Sequence, residues 1–153
     1  MSTSENEYVT ICIPAKVNFM KVIREAITEA ASDFGFSEDD GAQIVMAVDE
    51  ACTNVVQHGK PELADQTSRL YLKVVFGIDR LIVELVDSST RFSPLEDTGP
   101  SVEEFLASGK THGIGLYIMH KLVDEIEHDY KEGEGNRVRL VKVLPVAPGA
   151  DSK

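Results

Sequence analysis

Glu50, Asn54 and His58 recur every four residues in the run VDEACTNVVQHG. In a helix that spacing puts all three on one face. Val48, Cys52 and Val55 fall roughly opposite and would hold the helix on a core. An Asn side-chain oxygen is a hard, neutral ligand suited to Mg²⁺, which keeps several waters and takes one or two protein oxygens. A carboxylate one turn earlier can accept a proton from an attacking hydroxyl. Taken alone, the pair is also what any solvated helix face shows.

Two further places carry chemistry. Asp87 follows the run LIVELV, five of whose six residues are apolar. A carboxylate at the exit of a buried strand can accept a hydrogen bond from an exocyclic amine such as that of adenine. A site built around that bond rejects bases lacking the donor. An Asp that merely turns the chain into the next loop reads the same way. His112-Gly113-Ile114-Gly115-Leu116 precedes an apolar helical pattern. Its glycines let backbone N–H groups approach a ligand, and the helix start adds partial positive charge, so anions are favoured there. Tyr117 and Ile118 follow Leu116, so the full GxGxxG pattern is absent. Without a strand directly before it, the dinucleotide fingerprint does not apply, and a plain loop-to-helix junction stays open. Lys110, His112 and Arg91 lie near enough in sequence to offset the acidity of the chain locally.

These residues need elements to place them. Tyr8 to Ile13 alternates and is β-branched, predicting a strand that Pro14 ends. A helix is expected from an Asn18 cap to Phe34, with Phe19, Val22, Ile23, Ala26, Ile27 and Ala30 apolar and Gly35 as its stop. Ser37 caps a second helix, with Glu38, Asp39 and Asp40 in its first turn, running to Gln57 or His58. Its apolar face is Ile44, Val45, Val48, Cys52, Val55 and Val56. Leu70–Phe76 and Leu81–Val86 form a hairpin about the tight turn Gly77-Ile78-Asp79-Arg80.

The stretch from Asp87 to His112 is a long irregular loop, with a short helix possible only at Val102–Ala107. A third helix runs from the glycines through Val123, and Glu125–Lys131 with Arg137–Leu144 closes the chain as a hairpin around GEGN. Strands joined by short turns imply a mostly antiparallel sheet with the helices on one face, an α+β fold in two layers. One domain accounts for residues 1–153, with an ordered core over about 8–144 between polar tails.

With 26 acidic and 15 basic residues the formal net charge is −11. Such a surface repels phosphate backbones and anionic lipid, which sets nucleic acid and membrane aside as partners. No apolar run reaches the ~18 residues of a membrane span, and MSTSENE is no signal peptide, so the cytoplasm is the expected location. Cys12 and Cys52 each lie in an apolar run and read as small core residues; no metal-ligand spacing involves them.

In order and spacing these three constellations resemble the GHKL ATPase superfamily, whose ATP-binding fold is the Bergerat fold. VDEACTNVVQHG resembles its N box, LIVELVDSSTRFSP its first glycine box and THGIGLYIMHKLVDEI its second, across roughly Tyr8 to Leu144. EACTNVVQHG is most similar to the RsbW-like anti-sigma-factor serine kinases, as is the compact length. The resemblance implies Glu50 as general base, Asn54 as Mg²⁺ ligand, Asp87 as the adenine-reading acid and Gly113 and Gly115 as phosphate-binding glycines. The segment from Asp87 to His112 matches the ATP lid. His58, Arg91, Phe92, Lys110, Thr111, His112, Ile114 and Leu116 complete the ATP contacts it implies.

It further implies a serine/threonine protein kinase that uses ATP and Mg²⁺, phosphorylates an anti-anti-sigma (STAS) protein, sequesters a sigma factor or equivalent regulator and forms a homodimer. One position departs. The first glycine box ordinarily reads Asp-x-Gly, and here it is Asp87-Ser88-Ser89. That change keeps a second reading open, a module that binds nucleotide or a partner without catalysis. A metabolic ATPase, or a detached histidine-kinase catalytic domain, is a third.

Overall fold

The computed structural model describes residues 6–58, 69–87, 119–131 and 135–146. Within them the order is β1 (Glu7–Pro14), a 3-10 turn (Val17–Phe19), α1 (Met20–Phe34), α2 (Glu38–His58), β2 (Arg69–Phe76), β3 (Arg80–Asp87), β4 (Glu125–Lys131) and β5 (Gly135–Val143). Residues 119–122 are also helical. The strands form one antiparallel sheet in the order β1-β2-β3-β5-β4. The fold is α+β, as the strand and helix patterns imply.

Strand alternation decides which residues meet the helices. Ile13, Leu70, Leu72, Val74, Leu81, Val83, Leu85, Val138 and Leu140 are buried in one cluster with the apolar faces of α1 and α2. The alternate residues Tyr8, Thr10, Cys12 and Tyr71 are exposed on the other side of the sheet. That parity corrects the expectation for Cys12. It shares a face with Tyr8 and Thr10, pairs with Tyr71 and is exposed, whereas Cys52 is buried.

Helix starts and stops follow local chemistry. Ser37 Oγ accepts from the Asp40 N–H at 3.1 Å, closing the cap of α2. Glu38, Asp39 and Asp40 complement the positive end of that helix. Gly35 ends α1 at φ 112°, a left-handed turn that residues with a Cβ adopt only at a cost. Asn18 does not cap α1. It lies inside the 3-10 turn, and the capping position is Phe19, without a side-chain hydrogen bond. The core face of α1 is Met20, Ile23, Ile27 and Ala31, while Val22 is exposed. The buried stripe is thus rotated from the predicted one, because the face of α1 that packs on α2 and the core is the one carrying Met20, Ile23, Ile27 and Ala31.

At the β2–β3 turn, Gly77 N–H donates to Arg80 O at 2.9 Å. A Cβ at Gly77 would stand 2.9 Å from that same oxygen, so the tight turn requires glycine. The predicted Val102–Ala107 helix lies outside the described residues, as do residues 1–5 and 147–153 of the polar tails.

Candidate active site

The site is built on the second half of α2. Buried Val48, Cys52 and Val55 seat this half against the sheet, and α1 packs along its side. Glu50 and Asn54, one turn apart, are half-buried on the flank that remains. Their Cβ atoms are therefore about 6 Å apart on one face.

Electrostatics distinguish Glu50 from an ordinary surface glutamate. Burial raises its pKa first, and the adjacent Asp49 carboxylate raises it further. Asp49 is tied to α1, with its Oδ1 3.5 Å from Nη1 of Arg24. That separation is an ion pair without hydrogen-bond geometry, and Oδ1 is buried with no hydrogen-bond partner. Neither Asp49 nor Arg24 was singled out from the sequence. Asp49 has a neighbour signal, being next to Glu50, but Arg24 is 26 residues from Glu50 with no periodic relation to it.

A second feature missed by the motif reading fixes the other end of α2. Lys142 Nζ donates to Gln43 Oε1 at 2.9 Å and to Leu122 O at 2.7 Å. One ammonium on β5 thus joins α2 to the last turn of the helical residues 119–122. Val143 N–H donates to Asp124 Oδ2 at 2.7 Å, and Asp124 N–H to Val141 O at 2.8 Å. The exit of the helix that follows the second glycine motif is therefore pinned to the sheet. Its Met119 and Val123 are buried in the common core.

The backbone at Asp87 ends β3, paired with Asn136 of β5. It shares the strand parity of Leu81, Val83 and Leu85, which are buried. The side chains of Asp87 and His58 lie outside the described residues, as do Ser89, Arg91, Phe92, Lys110, Thr111, His112, Gly113, Ile114, Gly115 and Leu116 in full. Glu50 and Asn54 are thus the two candidates whose surroundings are visible, and they occupy the same helix face.

Among the described residues no group of three or more His, Cys, Asp or Glu side chains could cage a metal. A hydrated Mg²⁺ takes few protein oxygens, and a neutral amide oxygen such as that of Asn54 is of a type it accepts. The donor chemistry of this face suits the ion.

Comparison with known proteins gives this geometry a family. The pattern of the histidine kinase-like ATPase domain matches residues 13–142. The chain belongs to that family. The Serine-protein kinase RsbW of Bacillus mycoides is 33% identical over 133 residues, covering 83% of this chain and 80% of the relative. Its namesake in Bacillus velezensis is 32% identical over 150 residues, covering 94% and 89%. These likenesses place the chain in the RsbW serine-protein kinase branch. A solved structure of RsbU and RsbW domains from Mycobacterium tuberculosis superposes with a TM-score of 0.62 at 18% identity. It covers 92% of this chain, which spans only 33% of that longer chain, and it supports the fold.

Proposed function

We propose that this RsbW-branch kinase moves the γ-phosphoryl group of ATP to a Ser or Thr hydroxyl of a small regulatory protein. Glu50 is the base and Asn54 the protein ligand of Mg²⁺. The single observation that carries the assignment is the half-buried α2 face, on which a carboxylate held toward its neutral form and a neutral amide oxygen stand one turn apart.

The partner's hydroxyl oxygen attacks the γ-phosphorus as the bond to the β-phosphate oxygen breaks. Glu50 takes the hydroxyl proton and ADP leaves with the electron pair. A raised pKa suits this task, because a base nearer the working pH accepts a proton more readily than an ordinary carboxylate. Mg²⁺, when bound, neutralises the charge on the phosphates. Asp87 reads the adenine amine. The start of the helix at Gly113 and Gly115 offers N–H groups to phosphate, with Ile114 and Leu116 beside them. His58, Arg91, Phe92, Lys110, Thr111 and His112 line the rest of the ATP site. Catalysis then rests mainly on positioning, the usual case in phosphoryl transfer.

The acceptor is a STAS-domain anti-anti-sigma protein, and the same chain sequesters a sigma factor or equivalent regulator. It acts in the cytoplasm; among the described residues no helix is long and apolar enough to cross a membrane. It works as a homodimer, for which the open side of the sheet offers exposed Tyr8 and Tyr71. Ser89 motivates the second reading, a non-catalytic sequestering module. Incubation with radiolabelled ATP and a STAS protein separates the two. Acid-stable label on serine or threonine supports the kinase, and Glu50→Gln should keep ATP affinity while losing transfer. Transfer at the wild-type rate in Glu50→Gln would remove Glu50 from the base role.

A further inference from the structure

The motifs leave Asp49 and Arg24 without a role, yet the two meet beside the proposed base. Asp49 precedes Glu50 on α2, with Oδ1 buried and unbonded at 3.5 Å from Arg24 of α1. A buried carboxylate oxygen with no hydrogen bond is costly, and structures retain few of them. Here a single guanidinium, without bonding geometry, offsets its charge. We propose that Asp49 and Arg24 are positioning residues for phosphoryl transfer: the buried, unbonded Asp49 oxygen sets the charge beside Glu50, and Arg24, reaching across from α1, limits it.

Through-space charge explains the direction. A second anion on the adjacent residue disfavours ionised Glu50, and partial burial weakens solvent screening. Burial of Glu50 acts in the same sense and is the larger cause, with Asp49 second. The following charges face this part of α2 among the described residues. The residues that β3 buries against the helices are Leu81, Val83 and Leu85, and its charged end is Asp87. On β5 the facing charge is Lys142, whose ammonium is bound to Gln43, seven residues before Glu50, and to Leu122 O. From α1, Arg24 reaches this part of α2 at Asp49. Arg24 therefore acts on Glu50 chiefly through Asp49.

The mechanistic value of the pair rests on Glu50 being the base, but its electrostatic effect is measurable without that reading. The ¹³Cδ shift of Glu50 is titrated by NMR in the nucleotide-free protein, for wild type, Asp49→Asn, Arg24→Gln and the double variant. Asp49→Asn should move the Glu50 midpoint down. Arg24→Gln should move it up, because the Asp49 charge is then unopposed. The double variant should follow Asp49→Asn, since Arg24 has lost the group it acts on. The acidic limb of the pH profile for phosphate transfer to a STAS protein should shift in the same senses.

A purely structural pair would lower the melting temperature in both variants and leave the Glu50 midpoint in place. That result, or midpoints that move together, overturns the proposal. Asp49→Ser serves as a second neutral variant should Asn disturb the helix. Failure of the base assignment is separate: Glu50→Gln would then transfer phosphate normally while the Asp49 and Arg24 shifts persisted.

Discussion

Glu50 stands half-buried beside a second carboxylate, an arrangement that weakens the fold at neutral pH. Its folded pKa lies above the ordinary value of 4.5. Between those two values the folded state holds more protons than the unfolded chain, so stability falls as pH rises through the window. Glu50→Gln removes that loss. The variant should melt higher than wild type at pH 7, and the gain should vanish as pH falls below about 4.5, where both states are protonated. Thermal melts across pH check this, and a constant difference at every pH would contradict the assigned shift. Asn54→Ala should instead leave the melting temperature of the free protein nearly unchanged, because its side chain is on the flank of α2 rather than in the core. Calorimetry should find Mg²⁺-dependent ATP binding weakened at least about tenfold, the scale of one lost metal ligand or its support.

The two cysteines separate by the same reasoning. Burial pushes the Cys52 thiol well above its ordinary value, with Asp49 adding to the effect, while Cys12 is exposed. A thiol titration should find one reactive group in the native protein and two after denaturation. Cys12→Ser should abolish the native reaction.

At the scale of elements, the N-terminal part of α2 is held by contacts outside the chemistry. Ser37 satisfies an orphan N–H at its start, and Ser37→Ala should cost about 1 kcal/mol in denaturant unfolding. Lys142→Met would strand Gln43 Oε1 and Leu122 O in a partly buried place, at about 1–3 kcal/mol. Its denaturation midpoint should drop accordingly. Most elements were legible in the chain because their signals are local. Strand alternation, the Ser37 cap, the Gly35 stop and the Gly77 turn each involve neighbours within a few residues. The start of α1 was misread at Asn18 because a 3-10 turn and an α-helix begin with the same residue types. Val22 is exposed because the side of α1 that faces α2 and the core is set by tertiary packing, which spacing along the helix does not fix.

For the whole molecule, one face of the sheet packs against the helices, while the other exposes Tyr8, Thr10, Cys12 and Tyr71 and buries Val141. Thr10, Lys73, Glu84, Arg139 and Glu127 form one row across the five strands. Arg139 lies 3.6 Å from Glu127 and 4.0 Å from Glu84, and Arg137 pairs with Glu84 at 2.9 Å. Tyr8 and Tyr71 stand exposed toward the β1 end, with Lys73 Nζ 4.4 Å from the Tyr8 ring centroid. If this face joins two copies, Tyr71→Glu should convert the dimer to a monomer in light scattering while leaving the melting temperature of the monomer close to wild type. Both helices lie on the opposite face, so ATP binding at α2 should survive that change.

The family, the fold class and the face that carries Glu50 and Asn54 were determined by the sequence alone. They depend on spacing along one helix and on alternation along each strand, both set by backbone geometry over short distances. Which groups surround Glu50 was decided only by the tertiary structure. Arg24 reaches Asp49 because α1 packs beside α2, and Lys142 reaches Gln43 across 99 positions because β5 lies beneath that helix. Coulombic coupling and desolvation act through space, so charges that tune the site leave no periodic trace in the chain that encodes them.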